Sequence, residues 1–441
     1  MRRVLASLSD LGSTSTITSN PTRRTFLGAT GAVATALALP GCASLSEPKA
    51  RVVVIGGGFG GATAAKYIRL WAPEIEVVLV EREAAFVSCP LSNLVLGGSE
   101  KIENLTTGYD TLQKKYGVRV VRDEATAIDA QQKTVRLARG DALRYDRLIV
   151  SPGVDFQYDQ VPGLQGAEAQ GRVLHAWKAG PQTVALRRQL EALPDGGVYA
   201  LHIPKAPYRC PPGPYERAAQ VASYFKQFKP RSKVLLLDAN PDIVSKKALF
   251  TKAWTDRYPG IVEYRANQEL VRVDAATNTI ETSFETIRAG VLNVIPPQQA
   301  GRVAQTAGLI TANNKWCGVN FQTFESTVAP GIHVLGDATL AAPGMPKSGF
   351  MANNHAKVAA DAVIALIQGR PVNPEPIIAN TCYSFVSDTD VVHVASVHKW
   401  NADQKTLVAV AGAGGLSTAA NALEGQYARS WARNIWADAL L

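Results

Sequence analysis

The chain has 441 residues, of which 46% are hydrophobic and 19% charged, and its formal net charge is +9. That length and apolar content predict two or three domains, each with a core of its own. Residues 1–43 hold Arg2, Arg3, Arg23 and Arg24 against Asp10, so three of the nine charges belong to the leader. The rest contains no Lys/Arg block dense enough for nucleic acid, and the modest excess suits an acidic protein partner. Internal repeats are absent, as are low-complexity tracts beyond the Ser/Thr-rich leader.

The leader reads as an export signal. Thr22-Arg23-Arg24-Thr25-Phe26-Leu27 is a twin-arginine pattern, followed by a mildly apolar stretch from Gly28 to Leu39 that is too short to span a bilayer permanently. Twin-arginine export carries folded proteins and predicts a periplasmic location. Leu39-Pro40-Gly41-Cys42 resembles a lipoprotein box, with a lipid anchor on Cys42; simple cleavage near Ala43 is the alternative. No later segment is long and apolar enough to be a transmembrane helix.

Arg51 to Ile55 is apolar and β-branched, the pattern of a parallel strand buried on both faces. It runs into Gly56-Gly57-Gly58-Phe59-Gly60-Gly61, which places Gly56, Gly58 and Gly61 in G-x-G-x-x-G. A helix with Ala62, Ala64, Ala65, Ile68 and Leu70 follows, then a second apolar run, Glu76 to Val80, ending on Glu81. The first glycine makes a tight turn, the second admits a pyrophosphate and the third lets helix and strand touch. The helix N-terminus offers N–H groups to phosphates, and Glu81 can accept from a ribose hydroxyl. Strand, glycines, helix, strand and acid in that order predict a dinucleotide site.

Phe86 to Asn93 follows as a loop and helix start. Val118 to Arg122 and Thr134 to Ala138 read as strands of a β-rich insertion. Tyr145 to Gly153 is an apolar strand ending in Pro-Gly, and Gly331 to Ala338 is a strand ending in Gly336-Asp337. Together these resemble the FAD segments of glutathione-reductase-like flavoproteins, in which the loop after the second strand lies beside the isoalloxazine ring and the Asp binds the ribityl chain. The resemblance implies FAD rather than NAD.

A second nucleotide unit is expected near residue 200. Its strands, Gly197 to Ile203 and Lys233 to Leu237, and a helix near Tyr215 to Phe225 are present, but its glycine loop is replaced by Pro207-Tyr208-Arg209-Cys210-Pro211-Pro212-Gly213-Pro214. Prolines remove N–H donors and stiffen the turn, so the loop cannot cradle a pyrophosphate, and NAD(P)H is not expected. The fold class is therefore α/β: two Rossmann-like three-layer domains, one for FAD and one degenerate NAD-like, plus a small α+β C-terminal domain. The expected boundaries are a signal at 1–43, an FAD domain at 44–165 and 289–372, the degenerate domain at 166–288, and the C-terminal domain at 373–441 after the Pro-rich linker Gln368 to Pro376. In the last, Val391 to Val397 and Thr406 to Ala411 read as strands. Tyr427, Trp431 and Ile435 recur on one face of a closing helix expected to dock on the flavin domain.

There are five cysteines: Cys42, Cys89, Cys210, Cys317 and Cys382. No Cys-x-x-Cys-His attaches a c-type haem, and no Cys/His spacing suggests a metal site. The segments VVVIGGGFGGATAAKYI, SCPLSN, YRCPPGPYERA, NVIPPQQAG, TFES, GIHVLGDA, MPKSGF and NTCYS resemble the flavoprotein subunit of flavocytochrome c sulfide dehydrogenase. RCPPGPYERA is the most specific; Pro90 departs from a family position where a tyrosine can follow the flavin cysteine.

The resemblance implies covalent FAD on Cys89, a redox disulfide of Cys210 with Cys382, and Glu216 as proton acceptor. It also implies hydrogen sulfide as substrate and a heterodimer with a c-type cytochrome subunit bearing haem c. Read as residues alone, Cys210 and Cys382 could be a structural bridge, Cys89 a core thiol beside docked FAD, and Glu216 a helix-dipole partner. Lys347 is either a positive charge at the flavin N1/O2 edge or a solvated lysine. Cys317, His333 and His355 read as packing residues. Sulfide:quinone oxidation and a flavin-bearing support subunit of a thiosulfate-oxidising system are the alternative functions.

Overall fold

The computed structural model describes residues 49–441, so the twin-arginine stretch and Cys42 lie outside the described residues. β1 (Ala50–Ile55) is apolar at successive positions because it faces two cores. Val52 and Val54 enter one, and Val53 and Ile55 the other. α1 (Phe59–Trp71) covers one face, and β2 (Ile75–Val80) repeats the alternation beside β1. Ile68 of α1 is fully buried, which contributes about 1.5–3 kcal/mol, whereas Leu70 is exposed. After α2 (Ser92–Gly97), β3 (Arg119–Val121) pairs parallel with β2. Val118 to Arg122 was expected in a β-rich insertion; its short apolar run instead extends the main sheet. The insertion itself is a three-stranded antiparallel sheet containing Thr134–Leu137. β4 (Arg147–Val150) flanks β1 on its other side.

The chain then enters a second parallel sheet through a short ribbon, where Val154–Phe156 pairs antiparallel with Gln298–Ala300. β5 (Val198–Ile203) leads through the proline loop into α3 (Gly213–Phe228), followed by β6 (Lys233–Asp238), β7 (Val262–Arg265) and β8 (Val291–Val294). The order is β7-β6-β5-β8. Because β8 pairs with β5, the second unit runs past residue 288, and Val161, Leu164 and Val173 already pack in its core. Both boundaries expected from the sequence therefore move to the ribbon, where the chain physically crosses.

β9 (Ile332–Val334) returns beside β4, giving a parallel array β3-β2-β1-β4-β9 with two short antiparallel strands beyond it. α4 (Gly349–Ile367) packs on α1, capped by the Ser348 hydroxyl accepting from the Met351 N–H. The last unit is an antiparallel sheet of β10 (Ile377–Phe385), β11 (Val391–Asn401) and β12 (Thr406–Leu416), closed by α5 (Ala422–Leu440). α5 docks on α1 of the first unit, as expected. Its buried face is Gly425, Ala428, Ala432, Ile435 and Ala439, and Tyr427 is exposed. The small residues admit close approach, so the contact face is rotated from the one marked by the aromatic residues. Lys66 Nζ donates to the Ala437 carbonyl at 2.8 Å, and Asp438 takes Lys357 at 2.8 Å.

Candidate active site

The glycine turn has the shape its spacing requires. Gly56 sits at φ +94°, and a Cβ there would lie 2.4 Å from the Ser151 carbonyl oxygen. A Cβ on Gly61 would lie 1.8 Å from the Gly56 oxygen, so only glycine lets helix and strand meet. Gly58 has no protein atom within 4 Å of its Cβ position, which leaves an open cradle at the start of α1, whose N-terminus has no side-chain cap. The Glu81 carboxylate closes the turn, accepting from Gly57 N–H at 2.6 Å and Glu83 N–H at 2.8 Å. Asp337 leaves Oδ1 buried and without a partner, and burial raises its carboxyl above the usual range. Open cradle, acid and orphaned oxygen fit FAD: Gly56, Gly58 and Gly61 toward the pyrophosphate, Glu81 toward the ribose, and Asp337 toward the ribityl chain.

Lys347 is buried rather than solvated. Its ammonium donates to the carbonyls of Asp337 at 3.0 Å and Thr339 at 2.5 Å, and lies 3.6 Å from the Trp316 ring centroid. Burial pushes it down to about 8, opposed by Asp337.

Cys89 lies just before α2. Its sulfur accepts from the Arg209 guanidinium at 3.2 Å and from Ala179 N–H at 3.4 Å. Arg209 and Cys210 occupy the proline loop between β5 and α3, where a nucleotide-binding glycine loop would stand. Cys210 has φ 58°, a left-handed conformation that costs a non-glycine residue about 1–3 kcal/mol. Its N–H donates to the Lys347 carbonyl at 2.9 Å, which ties the loop to the flavin unit. Cys382 comes from β10, and its sulfur accepts from the Asn380 amide at 3.4 Å.

Burial raises the Cys210 thiol well above its ordinary value, and neighbouring Cys382 and Glu216 add to the rise. Burial also raises Cys382, opposed first by Lys246. Lys347 and Ser348 hold Cys210 N–H and Asn380, so the two half-buried cysteines come from separate units onto one short stretch, but as free thiols; the S–S bond that the resemblance implies is not present.

Glu216, in the first turn of α3, has more than a helix-end role. Its carboxylate accepts from Asn93 of α2 and from the backbone of Phe385 in β10, both at 2.9 Å, and burial raises it above the usual carboxylate range.

Three neighbours were not legible in the sequence. Asn93 links α2 to Glu216 and Arg217. Arg217 is buried and donates to the carbonyls of His175 and Ala176 at 2.8 and 2.6 Å. Lys246 is buried under β10. Arg217 stood inside RCPPGPYERA and could have been weighed; Lys246 gave no signal, because Ser245-Lys246-Lys247 reads as a solvated helix start. Cys317, His333 and His355 are core residues: His333 bonds the Thr323 carbonyl at 2.8 Å, and His355 lies 4.3 Å from the Phe324 ring centroid. Among the described residues no group of side chains could hold a metal ion.

Two Rossmann-like parallel sheets, a dinucleotide turn and half-buried cysteines at the degenerate second site define a flavin-dependent oxidoreductase of the pyridine nucleotide-disulphide oxidoreductase class, whose family description matches residues 50–188. Residues 183–296 match "Sulfide dehydrogenase [flavocytochrome c] flavoprotein chain, central", and residues 374–440 match "Flavocytochrome c sulphide dehydrogenase, flavin-binding". Over 45 residues, 10% of this chain and 94% of the relative, the sequence is 64% identical to the sulfide dehydrogenase [flavocytochrome c] flavoprotein chain of Chlorobaculum thiosulfatiphilum. The chain belongs to this flavoprotein family. It is also 24% identical over 359 residues to the sulfide-quinone reductase of Aquifex aeolicus, covering 75% of this chain and 80% of the relative. The solved sulfide:quinone oxidoreductase of that bacterium superposes with a TM-score of 0.73 at 18% identity, over 88% of this chain and 91% of the other. The two flavocytochrome c sulfide dehydrogenase family matches and the Chlorobaculum relative place the chain in a sulfide-oxidising flavoprotein family.

Proposed function

We propose that the chain oxidises hydrogen sulfide at a Cys210–Cys382 pair beside FAD bound covalently through Cys89, and passes the electrons to haem c on a separate cytochrome subunit in the periplasm. The observation that carries this reading is the convergence of Cys210, Cys382 and Glu216: the Glu216 carboxylate accepts the Phe385 N–H of β10 at 2.9 Å, and the adjacent Lys347 and Ser348 hold Cys210 N–H and Asn380, the partner of the Cys382 sulfur. Glu216 takes the proton that hydrogen sulfide loses before it attacks. Hydrosulfide bonds to one sulfur of the oxidised pair and the S–S bond breaks, leaving a persulfide on one cysteine and a thiolate on the other. The chemistry a bound FAD supplies is acceptance of that electron pair and its release one electron at a time. With that electron pair and the persulfide proton removed, loss of the outer sulfur as sulfur or polysulfide re-forms the S–S bond.

A haem acceptor on a separate subunit, rather than a quinone, is favoured by α5, whose apolar face is spent on α1 instead of a membrane. Among the described residues, no helix is long and apolar enough to cross a membrane. Periplasmic export rests on Arg23 and Arg24. The test is to purify the protein from the periplasm and mix it with sulfide. Sulfide should bleach the flavin and then reduce a co-purifying c-type cytochrome, and Cys210→Ser or Cys382→Ser should abolish bleaching while dithionite still reduces the flavin. Faster transfer to a soluble quinone would favour sulfide:quinone oxidation. Stimulation of a thiosulfate-oxidising complex without sulfide turnover would favour a support role. Retention of an Arg23→Lys, Arg24→Lys protein in the cytoplasm tests the export route.

A further inference from the structure

We propose that Lys246 is a positioning residue for sulfide oxidation, holding the Cys382 sulfur as the thiolate that leaves when hydrosulfide attacks Cys210. This rests on the exchange at the Cys210–Cys382 pair proposed above. In the step, the hydrosulfide sulfur bonds to the Cys210 sulfur and keeps its proton. The Cys210–Cys382 bond breaks, and its electron pair stays on Cys382.

Lys246 caps the helix Lys247–Arg257 and is buried beneath the sheet that carries Cys382. Its Nζ donates to the Cys382 carbonyl at 2.7 Å, the Ser384 hydroxyl at 2.9 Å and the Val392 carbonyl at 3.1 Å. All three donors of the ammonium are used, so its position is fixed, and all three acceptors are uncharged. A buried cation with no carboxylate in hydrogen-bonding contact is costly. Lys246 also sits at φ 55°, a left-handed conformation that adds further strain. Tying two strands together needs neither cost; an anion that appears during turnover gives both a use.

The titratable groups facing Lys246 are Cys382, Glu216, Cys210 and Glu424. Cys382 is faced in turn by Lys246, Asn380, Ser348 and Glu216. Cys210 is faced by Cys382, Glu216, Arg209 and Cys89. The ammonium and the Asn380 and Ser348 side chains oppose the burial of Cys382 ahead of the adverse effect of Glu216, whereas at Cys210 the adverse effects of Cys382 and Glu216 exceed the support from Arg209. A sulfur whose anion is better held leaves faster, which selects Cys382 as the leaving group and Cys210 as the site of attack. Burial pushes Lys246 down to about 8, so its charge is present below that pH and lost above it.

The experiment uses the flavin-loaded full chain and stopped-flow bleaching by sulfide, with dithionite reduction as the control for an intact flavin site. Lys246→Met is expected to slow bleaching by roughly tenfold or more near neutral pH, with dithionite reduction unchanged. The wild-type rate, corrected for hydrosulfide concentration, should fall above about pH 8; Lys246→Arg should keep the rate and lose that fall. Peptide mapping after one equivalent of sulfide and alkylation should find the persulfide on Cys210. Wild-type bleaching by Lys246→Met overturns the proposal, as does equal loss of sulfide and dithionite reduction. A wild-type profile flat across this range, or a persulfide on Cys382, also overturns it. Unchanged bleaching of Cys210→Ser would instead remove the exchange itself, a different failure.

Discussion

One oxygen of the Glu216 carboxylate accepts the Phe385 N–H at 2.9 Å while the other accepts the Asn93 amide at the same distance. A single side chain thus joins the helix after the proline loop to the strand of Cys382 and the helix after Cys89. Glu216→Gln must turn an NH2 donor toward one of these two donors, and leaving such a group unsatisfied costs about 1–3 kcal/mol. The midpoint of thermal unfolding should fall accordingly. Burial raises the Glu216 carboxyl, so the wild-type rate of bleaching by sulfide should decline as pH falls through that raised value. Glu216→Gln should decline earlier, tracking the fraction of sulfide already ionised as hydrosulfide. Superimposable pH profiles would leave Glu216 a purely structural role.

Cys89 receives two donors on its sulfur, a guanidinium and a peptide N–H, and is half-buried beside the proline loop rather than packed in a core. Acid precipitation of the holoprotein should carry the yellow colour into the pellet, and Cys89→Ala should release it to the supernatant. The variant should still fold and bind FAD, because the glycine turn, Glu81 and Asp337 are untouched. Free FAD in the wild-type supernatant would show that Cys89 does not hold the flavin.

The first nucleotide unit was readable because its constraints are local. A strand facing two cores must be apolar throughout, and a turn with a close helix–strand contact must have glycine at Gly56 and Gly61. The cysteine cluster was readable only through RCPPGPYERA and NTCYS as family motifs, since nothing in the spacing of residues 210 and 382 brings them together. The unit boundary was misplaced because Val291–Val294 looks like any short apolar strand; its sheet is set by pairing with β5 across a long stretch of chain. Lys246 was invisible for the opposite reason. Lysine pairs in helical stretches usually face solvent, and only the three-dimensional path of β10 and β11 buries this one.

Five buried imidazoles, His398 among them, should make the fold acid-sensitive well above the carboxylate range. Burial pushes His202 and His333 down to about 4, and His175 and His355 to about 3. The unfolded chain takes up these protons from about pH 6.5, whereas the folded chain stays neutral until much lower pH. Nothing is lost above pH 6.5, and stability falls as pH drops from there toward about 4, by about 1.4 kcal/mol per pH unit for each such group. Urea unfolding across that window should show the decline, and His355→Gln should reduce its slope by about one proton. A free energy independent of pH between about 6.5 and 5 would contradict it.

Two alanine substitutions in the same turn should separate folding from cofactor binding. At Gly61 a Cβ would lie 1.8 Å from the Gly56 oxygen and 3.1 Å from Val54 Cγ1, backbone and core that cannot move aside. Gly61→Ala should therefore cost about 3 kcal/mol or more and yield little soluble protein. At Gly58 the Cβ position meets no protein atom within 4 Å, and the backbone, at φ −71° and ψ −170°, is open to any residue. Gly58→Ala should leave stability within about 0.5 kcal/mol of wild type. The added methyl instead fills the space through which a pyrophosphate approaches the start of α1, so the purified variant should carry markedly less flavin per chain. Absorbance at the flavin band against protein concentration, alongside a thermal melt, measures both effects in one preparation. Full flavin content in Gly58→Ala would show that the pyrophosphate does not lie against this turn.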